Sequence, residues 1–229
     1  YNEFNYELIA TANKSWGAHS LVANLGTNYL QRSRRVSDIV TSGGLIIPNF
    51  YSLSNATSTI IGSSTGIYNK ALASVFGSFS YGWNSTFYLD GTLRNDWSST
   101  LPEAHNSYLY PSLTSSVILS ELTGLKNQQW LSFAKFRLGW AQVGNDTDPY
   151  RLESVFNSAG SYNGQPLVTI STGLPAKDLM PETTLSYEIG TEMRFFMDRL
   201  GIDLTLYKSK TSNQILNADI ATSSGFSNA

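Results

Sequence analysis

Period-two alternation of apolar and polar side chains is the feature that most narrows what this chain can fold into. It is clearest near the C-terminal end. Leu185, Tyr187, Ile189, Met193 and Phe195 share one parity, with Thr191 as the only polar member. Ser186, Glu188, Gly190, Glu192 and Arg194 share the other. After a turn at Met197-Asp198-Arg199, Leu200, Ile202, Leu204 and Leu206 alternate with Gly201, Asp203, Thr205 and Tyr207. A helix is excluded, because charges at every second position would be scattered around a 3.6-residue repeat. These runs are two-faced strands long enough for a tilted strand to cross a membrane.

Three further hairpins follow the same rule. Phe4, Tyr6, Leu8 and Ala10 oppose Asn5, Glu7 and Thr11; past Ser15-Trp16-Gly17, Leu21, Ala23 and Leu25 oppose Asn24, Gly26 and Asn28. A third hairpin spans 71–95 and turns at Gly82-Trp83-Asn84, with Phe87, Leu89 and Leu93 set against Tyr88, Asp90, Thr92 and Arg94. The fourth starts at Tyr108, turns through Thr123-Gly124-Leu125-Lys126-Asn127, and returns with Phe136, Leu138 and Trp140 against Lys135 and Arg137. The expectation is about eight strands. The segments between hairpins, 31–70, 96–107 and 144–183, are polar and rich in Gly, Ser, Asn and Pro, and they read as long loops. Compact domains rarely hold structureless loops beyond ~15 residues. Short turns alternating with long loops are the plan of an outer-membrane barrel, turns on the periplasmic side and loops outside.

Composition agrees with a wall between lipid and water. Charged residues are 14% of the chain and aromatics 13%, against roughly 25% charged in ordinary soluble domains. No run approaches the ~18 apolar residues of a membrane helix. Trp16, Trp83, Trp130, Phe195 and Phe196 all lie in or beside the short turns. They read as a girdle at one membrane interface, or as rings that pack hairpin ends. Arg94, Lys135, Arg137, Glu188, Glu192, Arg194 and Asp203 fall on the polar parity and read as lumen-facing. The chain opens on Tyr1 within a strand and ends at Ala229 in loop-like sequence, so both ends read as cuts through a longer protein.

Chemistry is sparse. A net charge of −2 offers no basic face for nucleic acid, and the absence of Cys excludes disulfides and thiolate metal sites. His19 in a predicted turn and His105 in a loop are the only histidines, and no cofactor or metal is expected from them. Asn145, Asp146 and Asp148 lack the spacing of a calcium loop and read as turn-formers. Glu188, Glu192 and Asp203 could supply a glycosidase pair, but an ion-paired, water-filled interior explains them with fewer assumptions. The chain therefore reads as a non-enzyme.

The residues also resemble a known family. Leu179-Met180-Pro181-Glu182-Thr183-Thr184-Leu185-Ser186-Tyr187-Glu188-Ile189-Gly190 is similar to a barrel segment of the SusC/RagA transporters of Bacteroidetes-type bacteria. So are Leu93-Arg94-Asn95-Asp96-Trp97-Ser98-Ser99, Tyr110-Pro111-Ser112, Phe136-Arg137-Leu138-Gly139-Trp140 and Val143-Gly144-Asn145-Asp146. The similarity begins near residue 70; the first 70 residues fit in pattern alone. The resemblance implies a barrel of ~22 strands with a separate plug, of which residues 1–229 would be a partial barrel domain without that plug. It implies import of oligosaccharides or oligopeptides under a SusD-like surface lipoprotein, driven by a TonB–ExbB–ExbD energy complex. A secreted glycan-binding β-sandwich and a small structural barrel or adhesin are the competing readings.

Overall fold

The computed structural model describes residues 1–228 apart from 59, 123, 124, 126, 127, 129 and 155, with only the backbone described for 60–64. Eight strands form one antiparallel sheet: β1 Asn2–Trp16, β2 His19–Thr41, β3 Ile60–Trp83, β4 Phe87–Ser98, β5 Ser107–Ile118, β6 Leu131–Asn145, β9 Glu182–Phe195 and β10 Leu200–Ser212. They lie in chain order, β1-β2-β3-β4-β5-β6-β9-β10. A separate two-stranded sheet, β7 Phe156–Tyr162 and β8 Gln165–Ile170, is inserted between β6 and β9.

Register decides whether the alternation seen strand by strand adds up to one surface. It does. Leu8 pairs with Thr27, Leu25 with Gly77, Leu93 with Pro111, Leu113 with Trp140, Leu138 with Ile189, and Ile189 with Leu206. The apolar parities of all four hairpins thus share one face, and the polar parities share the other. Nothing among the described residues covers the apolar face: Leu8 is 71% exposed, Leu25 64% and Leu204 56%. The only buried hydrophobic side chains among the described residues are Leu101, Leu131 and Ala134. A β-sandwich packs its inner faces together as a core. This single-layer sheet has none, which removes the soluble-sandwich reading.

The turns β1–β2, β3–β4 and β9–β10 lie at one end of the sheet. Gly17, Asn84 and Ser85 adopt positive φ there, as do Phe196, Met197 and Asp198, the left-handed conformations of tight hairpin turns. The β5–β6 connection, 119–130, is at the same end and is longer than expected; most of its anticipated turn at Thr123–Asn127 lies outside the described residues.

Two of the expected loops are corrected. The segment 31–70 is mostly strand: β2 and β3 stay paired as far as Thr41 and Ile60. β4 ends opposite Leu72 on β3. β2 and β3 continue as a paired ribbon about 40 Å beyond β4 at ~3.3 Å per residue. Only 42–59 remains as its loop. The segment 144–183 is likewise shortened by β6 and β9 and contains the β7–β8 hairpin. The third loop, expected at 96–107, is trimmed to 99–106.

Candidate functional surfaces of the sheet

The polar face carries all seven charged residues expected there: Arg94, Lys135, Arg137, Glu188, Glu192, Arg194 and Asp203. Arg137 on β6 is the hub. Its Nε donates to Glu188 Oε1 (3.2 Å), and one terminal nitrogen donates to Asp203 Oδ1 (3.3 Å) and Thr205 Oγ1 (2.5 Å). To reach β10 the guanidinium must pass over β9, and it does so at Gly190, where a Cβ would stand 2.5 Å from Arg137 Nε. A side chain at Gly190 would force the Arg137 guanidinium to shift from this crossing. Arg194 donates to Glu192 (2.7 Å) and lies over the Phe133 ring at 5.2 Å. Two of the three carboxylates considered for catalysis, Glu188 and Asp203, thus share one arginine, and Glu192 is paired with another.

Toward the loop end the same face becomes less exposed. Arg94 donates to Asp96 Oδ1 (2.8 Å), Tyr110 and Ser74 Oγ (2.8 Å). Asp146, expected as a turn-former, is instead an anchor. It accepts from Lys70 Nζ (2.5 Å), Ser98 Oγ (2.5 Å) and Thr100 Oγ1 (3.3 Å), tying the end of β6 to β3 and to the β4–β5 loop. Its side chain is only 9% exposed, so the Lys70 cation and two hydroxyls are what make its burial tolerable. Asp148 sits apart, 3.9 Å from Arg151. Sequence alone gave no signal for Asp146, because its partners lie up to 76 residues away.

Beside this anchor, a cavity of about 640 Å³ opens at the loop end, lined among others by Lys70, Asp146, Tyr150, Arg151, Glu153 and Glu182. Charges of both signs converge there with a single aromatic ring, Tyr150. Loop 42–59 is held by Asn55, a buried side chain whose Oδ1 accepts from Ile47 N (3.0 Å). Its Nδ2 donates to the carbonyls of Ile47 (2.8 Å) and Phe50 (2.7 Å). Ile46, Ile47, Phe50 and Tyr51 remain exposed around it, Tyr51 at 85%.

The apolar face has aromatic rims. At the turn end Trp16 stacks on His19 (5.5 Å), Trp83 on Phe87 (5.5 Å) and Trp130 on Phe195 (6.1 Å), with Phe196 beside Phe195 (6.4 Å). His19, expected in the turn, is the first residue of β2, and its Nδ1 lies 2.7 Å from the Tyr81 hydroxyl. Tyr6, Tyr29 and Trp97 occupy the same face near the loop end, each ten residues from the turn-end ring of its own strand (6 and 16, 19 and 29, 87 and 97). Ten residues span about 33 Å along a strand. At the tilt usual in membrane barrels this is a height of about 25 Å, the apolar band of such walls. Between the rims of β1, β2 and β4 the outward positions hold one Lys, Arg, Asp or Glu, namely Lys14, 5.9 Å from the Trp16 ring; on β10, Lys208 and Lys210 keep the outward parity eight and ten residues from Leu200.

Comparison with known proteins agrees with this geometry. The family model described as "TonB dependent receptor-like, beta-barrel" matches residues 1–229. TonB-dependent receptor P26 of Formosa agariphila is 28% identical over 215 residues, covering 91% of this chain and 21% of that protein. TonB-dependent receptor P3 of the same organism is 25% identical over 224 residues, covering 95% of this chain and 22% of that protein. The chain thus spans about a fifth of the length of these relatives. Among solved structures, the RagAB peptide transporter matches with a TM-score of 0.82 at 20% identity, covering 99% of this chain and 25% of that one. The siderophore receptor PirA from Acinetobacter baumannii matches at 0.57 and 15% identity, covering 94% and 27%. At these identities the structural likeness speaks to fold alone.

Proposed function

Because this chain belongs to the β-barrel family of TonB-dependent receptors, we propose that it forms one stretch of the wall of an outer-membrane transporter that actively imports nutrients. The observation that carries this reading is the division of one sheet into two faces. One face is apolar and aromatic-rimmed over a membrane's height; the other is laced with ion pairs. In this reading the apolar face meets lipid, and Trp16, Trp83, Trp130, Phe195 and Phe196 form the periplasmic girdle. Arg94, Lys135, Arg137, Glu188, Glu192, Arg194 and Asp203 line the lumen. Residues 1–229 are barrel only, and the plug through which TonB–ExbB–ExbD would act belongs to other parts of the transporter.

The loop-end cavity is the cargo-facing site, and its lining favours an oligopeptide over an oligosaccharide. Paired cations and anions suit the charged termini and side chains of a peptide, whereas sugars are held chiefly by stacked rings, and Tyr150 is the one ring present. The resemblance to a peptide importer in fold is consistent with this preference. The apolar tip at Ile46, Ile47, Phe50 and Tyr51 is the docking point for a SusD-like lipoprotein lid.

Topology provides the direct test in the full-length transporter. Epitope tags inserted after Tyr51 and after Asn163, in the β7–β8 turn, are expected to bind antibody on intact cells. Binding only after the outer membrane is ruptured would invert the wall. Uptake of labelled oligopeptide, lost when TonB is deleted, tests the cargo; unchanged peptide uptake with loss of oligosaccharide uptake would reassign it.

A further inference from the structure

In an antiparallel ladder, successive residues turn their main-chain donor and acceptor to opposite sides of the strand. On β3 the even-numbered residues turn toward β2, where the carbonyl of Ser74 accepts from Thr27 Oγ1 (2.9 Å) and that of Gly82 from Ser20 Oγ. Odd-numbered residues turn toward β4: Ala71 N donates to Ser99 Oγ (2.9 Å), and the Ala71 carbonyl accepts from Ser99 N (3.0 Å). The neighbour on that side belongs to this chain. β4 ends at Ser98, opposite Leu72, and the 99–106 loop leads back into β5. Beyond β4 the edge of β3 is closed first by a side chain, since Asn69 N donates to the Tyr150 hydroxyl (3.3 Å). Past Asn69 it is open. Among the described residues no group pairs with the edge-directed N–H and carbonyl of Ile67 or Thr65, although the ladder to β2 runs on past both. Tyr150 and Lys70 also line the loop-end cavity, so the open edge begins where that cavity ends.

We infer that cargo peptide leaving this cavity is held as an added strand along the β3 edge, its main chain bonded to Ile67 and Thr65. The inference rests on the oligopeptide reading and on the loops lying outside. Hydrogen-bonding chemistry selects the occupant. The edge repeats one donor and one acceptor every two residues, about 6.6 Å, and an extended peptide carries the same repeat. The hydroxyls of a sugar chain have no such register. Ser99 Oγ and the Tyr150 hydroxyl already stand where the carbonyls of a partner strand would, and they mark the line that a peptide extends. Main-chain pairing supplies affinity without demanding a particular sequence, which suits a site that takes in peptides of many kinds.

The experiment uses the full-length transporter and a fluorescein-labelled pool of random, proline-free decapeptides, with binding read by fluorescence anisotropy. I67P removes one edge-directed N–H and leaves the bonds of Gly66 and Tyr68 to β2 in place; it is expected to weaken binding about fivefold. I67V keeps the donor and should bind as the wild type does. Proline also restricts the backbone, so a second pool, N-methylated at consecutive central residues, is measured on both proteins. Methylation blocks pairing from the peptide side and is expected to cost about fivefold or more on the wild type, and almost nothing further on I67P. Equal binding of the two pools by the wild type overturns the proposal without any variant. So does undiminished binding by I67P, or a methylation cost that I67P leaves unchanged. Loss of the surface lipoprotein from purified I67P, with peptide affinity intact, would also overturn it and assign the edge to that partner. A wild type that binds neither pool refutes the oligopeptide reading itself, and this inference with it.

Discussion

Leu204 and Asp203 are neighbours in sequence but stand on opposite faces of β10. Leu204 pairs with Thr191 on the apolar face and is 56% exposed, while Asp203 accepts from Arg137 on the polar face. In the full-length transporter Leu204→Arg is expected to destabilise the assembled barrel by about 2–4 kcal/mol near mid-membrane. Asp203→Asn loses one exposed ion pair and is expected to cost under ~1 kcal/mol. Heat-modifiable mobility and the amount assembled in the outer membrane read both out. Equal tolerance would remove Leu204 from lipid, and a worse defect at Asp203 would turn the wall inside out. The face of each such residue was legible in the sequence because parity alone assigns it. Partners were not: the span of Arg137 over Gly190 and the burial of Asp146 depend on registers between strands whose connecting segments have no fixed length.

Elements were legible where lipid-type asymmetry exists and illegible where it does not. The wall strands separate apolar from polar at every step, so the alternation stands out. In the β2–β3 ribbon beyond Ser33, Arg34 and Arg35 mix with Val36 and Ile39 without period. By sequence alone both strands therefore read as loop. The β7–β8 hairpin, exposed along its length, was hidden for the same reason. At the ribbon's end, three side-chain hydrogen bonds of Asn55 add to the backbone bonds that close the loop between Gly44 and Thr57. Asn55→Ala leaves buried backbone groups unsatisfied, which costs about 1–3 kcal/mol. Because the loop is separate from the wall, the expected result is local: faster protease cleavage within 42–59 on intact cells, with heat-modifiable mobility unchanged. Cleavage at the wild-type rate would show that Asn55 does not hold the loop.

At the scale of the whole molecule, β1 and β10 end the sheet and do not pair with each other among the described residues. A membrane does not tolerate an open edge facing hydrocarbon. Residues 1–229 expressed alone are therefore expected to give no stable ion conductance in a planar bilayer, and reproducible conductance would refute the partial-wall reading. The general plan was legible from the alternation of turns and loops; its closure was not, since that depends on strands beyond these. One further consequence comes from how the β7–β8 insert is attached. β6 leaves the wall at Asn145 and β9 re-enters at Glu182, and these two residues are ladder partners. Beyond the Asp146 anchor, the β7–β8 hairpin hangs from adjacent positions about 5 Å apart. The insert is in effect a cassette with a fixed socket. Such a part can be lengthened, shortened or exchanged with no change of strand register, so under the proposed function cargo preference can diversify on an evolutionary timescale while the wall stays the same.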